Sequence, residues 1–358
     1  MTFQAARTFK AEGSDLLMGV GGRAMALGGA VVAGTGDVYS TYWNPAGLVE
    51  ADGVQLSAAR QLNAELVDVN FAGLVLNPDR MKVAGMKAAV ALSWITRLHV
   101  EADGHFGPED LETVFLRFAL PGLPDDFEGA IESKTRDYRL SLALSPVSDP
   151  RWSLGATVSR VDCRTDFCGV TADDPGNYKV ASTDATTVAF NLGAKLKLNE
   201  KLSFGANLKD VDTRLHVEVT VTDQTGTSTE SFVSRFPKDL TLGFLWKQES
   251  DLGLEVDYQT IFGDYGSSRL DFRMVRAGLE KIDDALSYRL GLLIPLRIES
   301  ESTGDVRDEM PLPFSITLGA GWQTERLRLD LALYPHPVMS YGRERIYPAA
   351  DLSIGYQF

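Results

Sequence analysis

Cys163 and Cys168, separated by Arg-Thr-Asp-Phe, are the residues whose type and spacing point most directly to covalent chemistry. In an oxidising compartment such a pair forms a small disulfide loop, and elsewhere it is a pair of free thiols. We expect the disulfide. The spacing is not CxxC and no histidine cluster accompanies it, so no metal and no cofactor are expected. His99, His105, His216 and His336 stand at strand ends or in loops, without metal-ligand spacing or a nucleophile elbow nearby. Nothing pairs a nucleophile with a base, so the chain does not read as an enzyme.

The remaining chemistry is that of fixed charge. Glu255, Asp257 and Gln259 alternate with Leu254, Val256 and Tyr258, and Arg328 and Asp330 alternate with Leu327, Leu329 and Leu331. Asp137 and Arg139 stand in the same relation to Tyr138 and Leu140. Such rows need strands whose one face is apolar and whose other face meets water or fixed polar groups. From Gly53 onward the period is two throughout. We expect fourteen strands, near 53–60, 66–76, 82–95, 134–146, 151–162, 185–198, 201–221, 238–248, 251–262, 271–281, 285–298, 312–324, 327–335 and 349–358. The 271–281 strand changes phase around Arg276, which suggests a bulge.

Connections alternate short and long. Asn77–Arg80, Ser148–Pro150, Asn199–Glu200, Glu249–Ser250, Asp283–Asp284 and Thr324–Arg326 are short, whereas 96–133, 163–184, 222–237, 299–311 and 336–348 are long. Short turns on one side and long loops on the other mark an outer-membrane barrel. The chain ends in Tyr356-Gln357-Phe358, with nothing polar after its last strand. In hydrocarbon that strand must close on the first, because an open edge would leave unsatisfied backbone. Trp94, Trp152, Tyr258, Trp322 and Tyr334 are candidates for interfacial girdles.

Composition agrees. No run reaches the length of an apolar transmembrane helix, which excludes a helical span but not a barrel. The net charge of −14, from 49 acidic and 35 basic residues, argues against nucleic acid as a partner. No basic, apolar leader opens the chain, so an envelope location implies that one was removed. Residues 1–50 are crowded with glycine and make a poor autonomous core. They lack the Lys-Ser/Thr of a phosphate loop. We expect an all-β protein: a fourteen-stranded antiparallel transmembrane barrel over 51–358, with residues 1–50 as a hatch inside its lumen.

The segment Gly21-Gly22-Arg23-Ala24-Met25-Ala26-Leu27-Gly28-Gly29-Ala30, followed by Tyr42-Trp43-Asn44-Pro45-Ala46-Gly47-Leu48, resembles the N-terminal region of FadL-like outer-membrane proteins, near their PorV-type branch. The resemblance implies a hatch built on Gly21, Gly22, Arg23, Gly28, Gly29, Asn44, Pro45 and Ala46. It also implies uptake of hydrophobic or amphipathic small molecules, such as fatty acids or hydrocarbons, with lateral release through the wall. Tyr356 and Phe358 resemble the signal read by the outer-membrane insertion machinery. The branch that accompanies secreted proteins offers the alternative of a non-transport subunit with a protein partner. Both termini are expected on the periplasmic side, membrane lipid around the belt, and Arg23 opposite a lumenal acid.

Between 106 and 133, Phe106, Leu111, Val114, Phe115, Phe118, Leu123 and Phe127 are interleaved with acids. They form either a surface groove for ligand or partner, or a loop that folds its apolar side over the barrel mouth.

Overall fold

Side chains that alternate in polarity force a sheet with one face toward lipid, and this sheet has no open end within the membrane. The computed structural model describes residues 7–15, 19–62, 69–77, 82–108, 110, 112–113, 115–116, 126–172, 174–248, 251–265, 268–302, 306–310, 312–337, 340 and 346–358. It opens with β1 (Thr8–Glu12), the short helices α1 (Gly22–Ala26) and α2 (Ser40–Trp43), and a 3-10 helix over Pro45–Glu50. The wall begins with β2 (Gly53–Gln61), β3 (Phe71–Asn77), β4 (Lys82–Val83), β5 (Met86–Phe106) and β6 (Phe127–Pro146). It continues as β7 (Trp152–Thr171), β8 (Asp174–Lys197), β9 (Leu202–Lys209), β10 (Arg214–Asp223), β11 (Gly226–Arg235) and β12 (Lys238–Lys247). Then follow β13 (Leu252–Tyr265), β14 (Ser268–Asp283), β15 (Leu286–Ser302), β16 (Val306–Glu309), β17 (Ser315–Gln323), β18 (Leu327–Pro335) and β19 (Pro348–Gln357).

Fourteen antiparallel strands make the ring, and β1, β4, β10, β11 and β16 extend its edges. Closure is by β19 against β2, from Asp351 opposite Gln61 to Gln357 opposite Gln55. The Phe358 N–H then donates to the Val54 carbonyl at 3.0 Å, so the terminal aromatic sits at the seam of the barrel. Leu140, Leu154, Phe190, Leu242, Leu318 and Ile354 form part of an exposed apolar belt. Trp152, Tyr258 and Trp322 lie on that outer face, whereas Tyr334 is buried inside and hydrogen-bonds Asp351.

Several expected loops are strands instead. Residues 163–171 and 174–184 prolong β7 and β8 beyond the belt, so the loop end of the barrel is a tall sheeted rim. This overturns the disulfide. Cys163 and Cys168 lie five positions apart on β7, facing opposite sides, and both are free thiols. An extended strand separates them by roughly 16 Å, far beyond the Cα spacing a disulfide spans. Cys163 Sγ instead accepts from Thr135 Oγ1 at 3.6 Å, and Cys168 Sγ meets the Tyr178 hydroxyl at 2.6 Å.

The stretch expected as one strand over 201–221 is broken. Asp210 and Asp212 take φ values of 56° and 51°, which ends β9 and redirects the chain into β10. On the return, Pro237 lacks the ladder donor and Gly263 opposite it has φ 119°, so β11 parts from β13 there. The phase change near Arg276 has a different origin from the one expected. β14 keeps its alternation, and the register shift against β15 falls between Arg273 and Met274. Leu270 and Met274 are buried inward at the loop half and Arg276 inward at the hatch, so the apolar pattern inverts while the geometry does not.

The first described residues also lie elsewhere than expected. β1 pairs with β5 from Thr8 opposite Asp103 to Glu12 opposite His99, in the loop half of the barrel. Phe358 is at the turn end, so the two ends of the described chain do not share a side. The cause is the shortness of β3, whose pairing with β5 stops at Ile95 and leaves an edge that β1 satisfies.

Alkylation in denaturant without reductant is expected to modify both cysteines, read as two mass additions per chain; a single unmodified oxidised species would contradict the strand placement.

Candidate functional site

The hatch is held by backbone hydrogen bonds to the wall and by an apolar cluster that joins Val20, Leu27, Tyr39, Trp43 and Leu48 to Phe71, Val75 and Ile95. The N–H groups of Val31 and Val32 donate to Asp257 Oδ2 at 2.9 and 3.0 Å. Those of Ala33 and Gly34 donate to Glu255 Oε1 at 2.6 and 3.0 Å. Two adjacent inward positions of β13 thus satisfy four consecutive amides of the turn between α1 and α2. On the neighbouring strands Gly28 N–H donates to Thr317 Oγ1 at 3.0 Å, and Arg276 donates to the Gly28 carbonyl at 2.9 Å. Gly22 N–H reaches Ser353 Oγ at 3.1 Å.

Close approach requires a bare wall. Gly155 is opposite Gly193, Gly205 opposite Gly243, and Gly278 opposite Gly291, each a direct cross-strand pair facing the lumen. A Cβ on Gly155 would collide with Pro45 and Ala46, and one on Gly291 with the Gly28 amide. Asn44 accepts from Ala46 N–H at 3.1 Å and donates to Val32 and Ala194 carbonyls at 2.9 and 3.1 Å. The Asn-Pro-Ala segment therefore knots the hatch chain to itself and to β8. Gly21 and Gly29, with φ of 90° and 81°, make the turns on either side of α1.

Charge completes the anchoring. Arg23 pairs with Glu280 at 2.6 Å, Glu280 with Arg289 at 2.7 Å, and Arg289 with Asp330 at 2.8 Å. Arg328 joins Asp330 at 2.7 Å and hatch Asp37 at 3.6 Å. Burial pulls the Arg23 pKa down, but the Glu280 carboxylate more than restores it, so the guanidinium stays charged. The acid that meets Arg23 is thus Glu280. Sequence reasoning singled out Glu255, Asp257, Arg328 and Asp330 but missed Glu280, Arg276, Thr317 and Arg289. Their inward position on the same alternation was the available signal.

The hatch divides the lumen. Toward the turn end lies a polar vestibule of about 520 Å³, lined by Arg23, Asp37, Glu255, Glu280 and Arg328 among others. Toward the loop end lies a chamber of about 150 Å³. Its wall is Tyr42, Leu98, Phe115, Phe236, Ile261, Tyr265, Leu270, Phe272, Ile298 and Met310, over a floor of Asp15, Arg97, Arg139, Lys209, Asp210, Asp239, Gln259 and Arg276. On β14 the two spaces are lined by residues only two apart, Arg276 above and Gly278 below, so the barrier is one hatch turn thick.

The charges of the floor are largely neutralised within it. Arg97 is the extra residue of a β5 bulge between Thr96 and Leu98. It pairs with Asp210 at 2.8 Å and Asp15 at 2.7 Å and lies 4.8 Å from the centre of the Phe236 ring. Arg139 pairs with Asp137 at 2.6 Å, and Lys209 with Asp239 at 3.1 Å while capping Tyr42 at 3.9 Å. What the chamber offers a guest is its aromatic and aliphatic side.

Of the 106–133 residues, Phe106, Phe115 and Phe127 are all buried in the apolar cluster of the loop half, Phe106 and Phe127 stacked at 5.1 Å. They form a folded-in lining, not an outer groove, and only Phe115 reaches the chamber. Leu111, Val114, Phe118 and Leu123 lie outside the described residues.

No protein-family model matches the chain, and no curated protein does. Solved structures do. The CymD monoaromatic hydrocarbon channel matches with a TM-score of 0.62 at 14% identity, covering 96% of this chain and 98% of that one. A Pseudomonas aeruginosa FadL homologue gives 0.62 at 14%, covering 98% and 99%. The Ralstonia pickettii toluene transporter TbuX gives 0.61 at 14%, covering 95% and 98%. The fold is that of the FadL-type outer-membrane channels.

Replacing Asp257 with Ala leaves two buried amides without an acceptor, at about 1–3 kcal/mol each. Limited proteolysis is expected to cut within 27–36 in this variant while the barrel band survives; protection equal to wild type would show that Glu255 and the glycine contacts suffice.

Proposed function

We propose that the protein is an outer-membrane uptake channel for hydrophobic or amphipathic small molecules, with the turn end in the periplasm. The observation that carries this is the apolar chamber at the loop end, closed from a polar vestibule by a single hatch turn. A dry apolar cavity of about 150 Å³ is large enough to take up benzene. The guest enters past Phe115, Leu270 and Met310, gains by leaving water, and meets below it a floor whose charges already have partners. An ionised guest would have to break those pairs, which favours neutral molecules or those with a small polar head.

Exit has two routes by geometry. One passes the hatch at its 31–34 turn, whose contacts to β13 are polar and therefore exchangeable for water. The other is the parting of β11 from β13, which the chamber reaches through Phe236 and Tyr265, stacked at 5.9 Å. Outside it stand exposed Val233 and Phe262, an apolar path toward lipid. We favour the lateral route, because it offers a hydrophobic guest apolar side chains from the chamber to the margin of the belt. The 1–50 segment is in this reading a fixed floor, and Tyr356 and Phe358, with rings 4.9 Å apart at the seam, serve assembly. The inward packing of Phe106, Phe115 and Phe127 supports transport over the protein-partner alternative, since it leaves none of them for docking.

Arg235 and Asp264 face one another across the parting at 3.9 Å. In a Cys163→Ser, Cys168→Ser background, Arg235→Cys with Asp264→Cys can be bridged by a short bis-maleimide. Uptake of labelled toluene and oleate by intact cells is expected to drop to the level of cells lacking the protein on bridging. Full uptake after bridging would exclude the lateral route, and no uptake before bridging would remove the transport reading itself.

A further inference from the structure

Outside the lumen, on the outer face of the loop half, the wall carries a group that transport does not use. His99 and Glu101 are next-but-one neighbours on β5, and Glu132 stands directly opposite Glu101 on β6. The ligand atoms of all three lie within 4.8 Å of one another. His99 Nε2 is 3.4 Å from Glu132 Oε1 and 3.8 Å from Glu101 Oε1. We propose that His99, Glu101 and Glu132 form a three-ligand site for a divalent transition ion of the zinc type, fixed between β5 and β6 at the outer rim.

Three features carry this. First, the separations suit the ion. Nitrogen and oxygen ligands at about 2.1 Å in tetrahedral array stand about 3.4 Å from one another. Second, His99 is buried, with its side chain 6% exposed, yet among the described residues Nε2 has no hydrogen-bond partner. A buried ring nitrogen aimed between two carboxylates without a partner is costly unless something sits between them. Third, two glutamates directly opposite on one sheet face repel one another, and a shared cation removes that repulsion. One histidine and two carboxylates with an open fourth position match zinc better than calcium or magnesium, which favour oxygen-only shells.

The site has a competitor. Lys134, opposite His99, contacts the same Glu132 Oε1. Lys10 stands opposite Glu101 on β1, and Glu12 opposite His99. An ion must displace Lys134 from that oxygen, so affinity is set by the exchange. The ion would staple β5 to β6 just where β1 adds to the β5 edge, stiffening the rim beside the chamber.

The full-length protein in detergent, with zinc and cobalt chlorides as probes, tests this. Titration calorimetry is expected to give one zinc per chain, and cobalt a tetrahedral visible spectrum with an imidazole ligand. His99→Ala should abolish both, and Glu132→Gln should weaken zinc by about tenfold or more. Lys134→Met should tighten it, which a loose surface carboxylate pair would not predict. Heat-modifiable gel migration verifies that each variant is a closed barrel, and His99→Gln is the fallback if His99→Ala does not close. Stoichiometry far below one, binding unchanged in either His99 variant, or equal competition by calcium would overturn the site.

Discussion

Four consecutive amides of the hatch, at Val31, Val32, Ala33 and Gly34, end on two carboxylates of one wall strand, Asp257 and Glu255. Everything else in the lumen follows from that constraint. A segment rich in small residues cannot form a core alone, so it leans on the wall for apolar contact and for backbone partners alike. The wall supplies acceptors at the right height and removes its own side chains, as glycine pairs, where the hatch chain must lie flat. The Arg23–Glu280–Arg289–Asp330 chain then fixes the rotation of the hatch about the barrel axis.

A hatch held in this way differs from a packed plug. Buried ion pairs and charged hydrogen bonds specify geometry strongly, but the desolvation they cost offsets most of what they contribute. These polar contacts therefore set one register, and apolar clusters flank them. One fills the loop half, around Phe106, Phe127, Met274 and Leu293, and another joins Tyr39, Trp43 and Phe71 to the wall beside β3. The chamber sits where the first cluster thins out over the charged floor.

Much of this was legible before any coordinates. The period of two from Gly53 and the alternation of short turns with long links are both consequences of crossing hydrocarbon, and each is a pattern along the chain. The inward places of Glu255, Asp257 and Asp330 followed from the same alternation. Glu280 and Arg276 were missed because the lumen changes character with height. Above the hatch Leu270 and Met274 face inward, so polarity ceases to report direction. The disulfide failed for a related reason: the rim strands outlast the membrane, and residues that look like loop by composition are extended sheet. The break at Asp210–Thr213 was hidden too, because left-handed backbone at aspartate leaves only a weak trace in sequence.

The two discontinuities of the wall explain why the chamber is where it is. A closed barrel of this size has no cause to open sideways, since every unpaired backbone group facing lipid is costly. Here the breaks lie beyond the belt, at Asp210–Thr213 and at Pro237 with Gly263, where backbone can find water or side chains. Val211 N–H still reaches the Phe190 carbonyl at 3.0 Å, and Phe236 N–H the Thr213 carbonyl at 3.1 Å. The β10–β11 hairpin is thereby carried as a unit on β8, without ladder pairing to β13 among the described residues. Arg97 is drawn inward by its bulge to bind Asp210 and to cover Phe236, which ties this hinge to the hatch through Asp15. The floor of the chamber and the break between β9 and β10 are thus one hydrogen-bonded network.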